Sequence, residues 1–204
     1  MKPLNKDSEK KKNIIAKYNS TSNFYDDRYR NIQNSKFTLL LKNFKFEDKI
    51  ILDAGCGTGL LFEFFLRSNQ QIHNSSNNRK LRYIGLDISW KMLKQFLNKI
   101  NNVNSIKYVN LILGDIENLP FREEKIHQIF SVTSLQNLYD IEKGLRELFR
   151  IGQQGTSLNL SILRKNLNLD NIYSYLKSEI ANLNLIRLEK VEDVIIQGNL
   201  LKKN

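Results

Sequence analysis

DAGCGTG, Asp53 to Gly59, follows the apolar stretch KIIL (49–52) and precedes LLFEFFL (60–66). It reads as a strand, a glycine-rich turn and the start of a helix. Glycines at 55, 57 and 59 let the backbone turn sharply and approach a ligand, and the helix that follows offers it unpaired N–H groups. A dinucleotide turn has the spacing G-x-G-x-x-G, its third glycine packing helix on strand. Here the third glycine comes one residue early and position 60 is Leu. An acid two residues before the first glycine would repel a pyrophosphate and suits a cationic ligand.

Outward from this turn, strand and helix patterns alternate. On the amino-terminal side, Phe37, Leu40, Leu41 and Phe44 fall at i, i+3, i+4 and i+7, a helix with one buried face. A strand over about 49–54 feeds the turn, and a helix spans about 59–67. SNQQIHNSSNNRK (68–80) is polar and reads as a long loop. LRYIGLD (81–87) is a second strand ending on an acid. Ser89 then stands at the N-cap of a helix whose Leu93, Phe96, Leu97 and Ile100 share a face. IKYVNLILGD (106–115) and KIHQIFSV (125–132) are further strands, and Ile141, Leu145, Leu148 and Phe149 mark another helix. GQQG (152–155) is a turn into the strand TSLNLSIL, NLDNIYSYLKSEI (168–180) is helical, and LIRLEKV and DVIIQGNLL are two closing strands. This alternation predicts a mostly parallel sheet covered by helices on both faces. In such a sheet a ligand lies beyond the carboxyl ends of the strands. Asp53, Asp87, Asp115 and Ser131 all fall there.

Four segments taken in order, DAGCGTG (53–59), YIGLDIS (83–89), LILGDIENLPF (111–121) and IFSVTSLQNL (129–138), resemble the class I S-adenosylmethionine-dependent methyltransferases in their small stand-alone form. The likeness covers about residues 14–200. It implies an α/β, Rossmann-like, doubly wound seven-stranded sheet, mostly parallel with an antiparallel last strand. It also implies S-adenosylmethionine as cofactor, whose ammonium and sulfonium suit an acid at Asp53. The cofactor shell carried over is Asp53, Ala54, Gly55, Cys56, Gly57, Gly59, Asp87, Ile88, Asp115, Ile116 and Ser131. The glycines would line the methionine part, Asp87 would accept from the ribose hydroxyls, Ile88 would pack on adenine, and Asp115 with Ile116 would face its amine.

The implied activity is methyl transfer by in-line displacement to an acceptor that is a small molecule or RNA. Because the sulfonium methyl is already activated, alignment and exclusion of water can carry much of the acceleration, and no catalytic base is assigned. The Asn/Asp-Pro-Pro-Tyr/Phe motif of enzymes methylating planar amino groups is missing after strand four. Gln136 and Asn137 are the polar candidates there for touching the acceptor. Tyr25, Asp26, Tyr29 and Gln33 lie in a helical arm or lid over 14–48 that precedes a core over 49–204 and would close over the cofactor, and Tyr25 and Tyr29 are further acceptor candidates. The competing reading is a non-catalytic methyltransferase-fold subunit acting as a structural or regulatory partner. Whether an activating protein is needed stays open.

The 204 residues are 41% hydrophobic and 26% charged, the composition of one folded domain. Residues 1–13 are lysine-rich and read as a disordered tail. The single Cys56 excludes an internal disulfide framework and reads as a small packing residue or a nucleophile. With two isolated histidines, His73 and His127, there is no metal-ligand cluster. No apolar run has membrane-spanning length and no secretory signal pattern stands at the amino terminus, so the expected compartment is cytoplasmic. Net charge is +11, and residues 1–50 hold twelve Lys or Arg against six Asp or Glu. Both a polyanionic partner and compositional drift toward Asn, Lys and Ile account for that excess.

Overall fold

The computed structural model describes residues 6–42, 44, 50–68, 82–101, 109–166, 169–187 and 192–202. The order of elements is α1 (Lys6–Thr21), α2 (Tyr25–Leu40), β1 (Ile50–Ala54), α3 (Leu60–Ser68), β2 (Arg82–Asp87), α4 (Trp90–Ile100), β3 (Val109–Leu113), β4 (Ile126–Val132), α5 (Ile141–Ile151), β5 (Gly152–Leu163), α6 (Leu169–Glu179), β6 (Ile180–Arg187) and β7 (Asp193–Leu200). The strands form one seven-stranded sheet in the order β3-β2-β1-β4-β5-β7-β6. Pairs from β3 through β5 are parallel, and β7 runs antiparallel to both its neighbours, as expected.

Side-chain alternation divides the core into two layers. Leu52 and Ala54 of β1, Ile129 of β4 and Leu158, Leu160 and Ile162 of β5 pack with Leu145, Leu148 and Phe149 of α5 and Leu176 of α6. On the other face Ile51, Tyr83, Phe130 and Ile195 pack against Phe37 and Leu40 of α2, Phe62 and Phe65 of α3 and Leu93 and Phe96 of α4. Two helices therefore cover one face and three the other. The order of the strands reverses between β1 and β4, which opens a crevice above their carboxyl ends.

Helix starts follow their caps. Ser89 accepts from Met92 N at 3.2 Å and opens α4, and Asp140 accepts from Lys143 N at 2.9 Å and opens α5. α1 differs from the rest, since none of its residues is buried.

Several elements depart from the sequence reading. Residues 6–13, read as part of a disordered tail, form the first half of α1. The 37–44 periodicity lies on a helix that begins at Tyr25 and ends at Leu40; Phe44 follows it and stacks on Phe65 at 5.5 Å. GQQG is no turn, because α5 passes directly into β5 and Gly152 pairs with Ile126. The next strand starts at Ile180, five residues before LIRLEKV, and Leu188–Val191 lie outside the described residues. The 68–80 stretch read as a loop, with His73, lies outside them after Ser68, the last residue of α3, as do the start of the third strand and residues 1–5, 43 and 45–49.

Candidate active site

β1 delivers the glycine turn to the crevice, and hydrogen bonds to the ends of β2 and β4 hold it there. Gly55 N and Cys56 N donate to Leu86 O at 2.7 and 3.0 Å, fixing the turn to the end of β2. Ser131 of β4 and Ser134, two residues past its end, donate from their hydroxyls to Ala54 O at 2.9 and 3.0 Å. A Cβ on Gly55 would stand 2.4 Å from Ser134 Cβ, so the absence of a side chain permits this clamp.

Asp87, at the end of β2, accepts from Gly57 N at 2.9 Å through Oδ2 and from Ser89 N at 2.8 Å through Oδ1. Each oxygen keeps lone-pair capacity for a further donor. Burial raises the Asp87 carboxyl above its ordinary value, and these backbone donors work the other way. Asp115 closes a turn after β3, its Oδ1 accepting from Glu117 N at 2.9 Å. Its Oδ2 and Glu117 Oε2 share the Lys11 ammonium of α1, at 2.9 and 3.0 Å. Burial works against the charge on Lys11, but hydrogen bonds to Asp115, Glu117 and Asp7 prevail and hold it above the usual lysine range.

These groups surround one cavity of about 80 Å³. Its floor is Gly55, Gly57, Asp87, Ile88, Gly114, Asp115 and Ile116; Val132, Thr133, Ser134, Asn137 and Leu138 form one wall, and Lys11, Ile14, Tyr18 and Tyr25 roof it. Asn137 Nδ2 donates to Tyr18 Oη at 2.9 Å across that roof. Asn19 Oδ1 accepts from Ser89 Oγ at 2.7 Å, and Lys10 donates to Leu138 O. A second, smaller cavity behind the turn shares Tyr25, Gly55, Gly57 and Val132 with the first and adds Gln33, Asp53, Cys56 and Thr58.

Six of the eleven residues carried over for the cofactor, Gly55, Gly57, Asp87, Ile88, Asp115 and Ile116, line the main cavity, and Asp53 and Cys56 line the second. Ala54, Gly59 and Ser131 line neither. Ala54 and Ser131 are the two ends of the clamp, and Gly59 faces the ring of Phe96. Of the acceptor candidates, Tyr25 and Asn137 reach the cavity. Gln136 turns back, its Nε2 donating to Thr133 O at 2.6 Å, and Tyr29 packs on Tyr25 at 4.7 Å. Asp26 bonds Thr58 and pairs with Arg30 at 3.0 Å and with Lys99. His127 accepts from Ile50 N through Nδ1 at 3.4 Å between strands, remote from both cavities. Burial pushes the Cys56 thiol far above its ordinary value, which favours packing over nucleophilic chemistry.

Sequence reasoning missed Lys11, Ile14 and Tyr18, all in or beside the stretch read as a tail. The i, i+4 spacing of Ile14 and Tyr18 was the available signal. It also missed Lys36, a buried lysine of α2. Lys36 Nζ lies 2.9 Å from Asp193 Oδ1 and donates to Thr133 Oγ1 at 2.7 Å, and Thr133 Oγ1 donates to Asp193 Oδ2 at 2.9 Å. This network sits directly beneath the cavity wall, where Thr133 adopts φ +56°.

A Cβ on Gly57 would meet nothing within 4 Å, so this glycine leaves an open face toward the cavity. With two carboxylates able to accept from hydroxyl and amine donors, that cradle fits an adenosyl ligand with a cationic amino-acid end. The model of the methyltransferase domain family matches residues 52–160, and the chain belongs to that family. Its class is the class I S-adenosylmethionine-dependent methyltransferases, whose cofactor is S-adenosylmethionine. The chain is 27% identical over 157 residues to a malonyl-[acyl-carrier protein] O-methyltransferase of Hamiltonella defensa, with 77% of this chain and 54% of that protein covered. It is 28% identical over 113 residues to a demethylmenaquinone methyltransferase of Thermobifida fusca, with 55% and 43% covered. This chain thus spans about half the length of these relatives. In fold it is similar to a SAM-dependent methyltransferase of Aquifex aeolicus, at a TM-score of 0.68 and 16% identity, covering 90% of this chain and 98% of that one. Among the described residues no His, Cys, Asp and Glu cluster could hold a metal ion, and no helix is long and apolar enough to cross a membrane.

Proposed function

We propose that the chain methylates a small-molecule acceptor, using S-adenosylmethionine bound between the glycine turn and the ends of β2 and β3. The observation that carries this reading is the continuity of the main cavity from Gly57, Asp87 and Asp115 to Thr133, Asn137 and Leu138 beneath α1. When bound, the cofactor supplies a methyl group activated by its sulfonium. Asp87 accepts from the ribose hydroxyls while its bonds to Gly57 N and Ser89 N fix the carboxylate plane. Asp115 accepts from the adenine amine, the position that Lys11 takes in this structure. Tyr18, Tyr25, Val132 and Leu138 exclude water, and Asn137 orients the acceptor.

In this reading α1 and α2 act as a lid. α1 buries no residue and is held by polar contacts at Lys10, Lys11, Tyr18 and Asn19, so its opening exposes little apolar surface. A roofed cavity admits a small acceptor or the tip of a longer one. The activities for which the two relatives are named, on malonyl-[acyl-carrier protein] and demethylmenaquinone, support that class. The test is transfer of labelled methyl from S-adenosylmethionine to fractionated cell extract. Label in the metabolite or acyl-carrier fraction, insensitive to salt, is expected. Label confined to RNA, with binding that falls steeply with salt, would overturn the small-molecule assignment.

A further inference from the structure

The second cavity, behind the glycine turn, is lined by two buried side chains that carry acceptors, Gln33 and Asp53. Gln33 of α2 is 6% exposed and lines it, and among the described residues no hydrogen-bond donor reaches Gln33 Oε1. An unpaired buried amide oxygen is costly unless a ligand completes it. The same space is lined by Asp53, 2% exposed, whose Oδ2 accepts from Tyr83 Oη at 2.5 Å. Burial first, with the Asp87 charge adding to it, pushes Asp53 up to about 7 against the pull of the Tyr83 hydroxyl. Two acceptors around a free volume of about 30 Å³ call for a compact group rich in N–H donors and bearing positive charge. Through Gly55 and Gly57 the space opens onto the main cavity, so such a group can be one end of a ligand whose remainder lies there.

We propose that Gln33 is a cofactor-binding residue, its Oε1 accepting from the α-ammonium of the methionyl end and so reporting to α2 that an intact amino-acid head is in place. This rests on the cofactor assignment above. Because Gln33 belongs to α2 and Asp53 to β1, the ammonium then bridges arm and core. A truncated adenosyl thioether lacks that bridge and is discriminated against by the arm.

The test is titration of S-adenosylhomocysteine and 5′-methylthioadenosine, which lacks the amino-acid head, into the wild type and Gln33→Met, with melting of both ligand-free proteins. Methionine keeps the volume and removes the orphaned acceptor. Loss of at least about tenfold in affinity for S-adenosylhomocysteine, with methylthioadenosine changed by less than about twofold, is the expected result. Melting of the ligand-free variant at the wild-type temperature or above it is expected as well, since replacing an unsatisfied polar group with an apolar one is neutral or favourable. Equal weakening of both ligands, or a lowered melting temperature with the head preference retained, would make Gln33 a structural residue and overturn the inference alone. Failure of the wild type to bind either compound would overturn the cofactor assignment and this inference with it.

Discussion

Gly57 and Gly59 both have left-handed backbone, at φ +55° and +82°, yet their surroundings differ. A Cβ on Gly59 would stand 2.4 Å from Phe96 Cδ2 inside the core, whereas one on Gly57 would enter open space. Gly59→Ala is therefore expected to lower stability by about 2 kcal/mol or more, from strain and overpacking together. Gly57→Val is expected to cost only the backbone strain, about 1–2 kcal/mol, while abolishing cofactor binding. Denaturant melts and cofactor titration of both variants separate these outcomes, and normal binding by Gly57→Val would remove the turn from the cofactor site. Asp53 gives a pH signature at the same scale. Its folded value near 7 lies above the ordinary 3.8, so the folded state retains a proton that the unfolded chain releases. The stability contributed is fully present below about pH 4 and is lost as pH rises through about 7. Asp53→Asn is expected to flatten the fall in melting temperature over that window; an unchanged slope would assign it to other groups.

At the level of elements, the sequence reading succeeded where local pattern and packing agree. β1, β2 and β4 carry apolar runs ending on Asp53, Asp87 and Val132, and α4 and α5 carry both a cap and an apolar stripe. It failed where long-range polar contacts decide the structure. The partners of α1, Asp115, Glu117, Asn137 and Ser89, are 70 or more residues away, and nothing in KDSEKKKN announces them. β6 was misplaced because Asn182, at φ +53°, and a register shift between Ala181 and Asn184 break its alternation. GQQG reads as a turn from its two glycines, but Gly155, at φ +79°, sits within β5, whose pairing to β4 is also irregular.

Two ion pairs test these elements separately. Lys36→Met leaves Asp193 buried without its cation and is expected to cost about 3–5 kcal/mol in urea unfolding. A loss below about 1 kcal/mol would mean that the pair behaves as a surface one. Lys11→Met removes the cation that α1 places on Asp115 and Glu117. Stopped-flow binding of S-adenosylmethionine is expected to become faster and less dependent on salt, since the lid no longer holds by charge. An unchanged rate and salt slope would show that α1 does not gate the cavity.

For the whole molecule, the sheet order places three motifs at the carboxyl ends of adjacent strands, although they lie at 53–59, 83–89 and 111–121 in the chain. That convergence was legible because each strand ends on its own acid or glycine turn. The roof was legible only in the arm over 14–48 with its Tyr25; Lys11, Ile14 and Tyr18 were not, because their complementarity to the floor exists only after the sheet has formed. A turn that favours a cationic ligand over a pyrophosphate, with Asp87 and Asp115 set to hold an adenosyl group, is the central claim. The measurement that tests it most directly is calorimetric titration of the purified chain with S-adenosylmethionine, S-adenosylhomocysteine and NAD in parallel. Binding of the first two at one site per chain, with none of NAD, is the expected result. Preferential binding of NAD, or binding of none of the three, would contradict it.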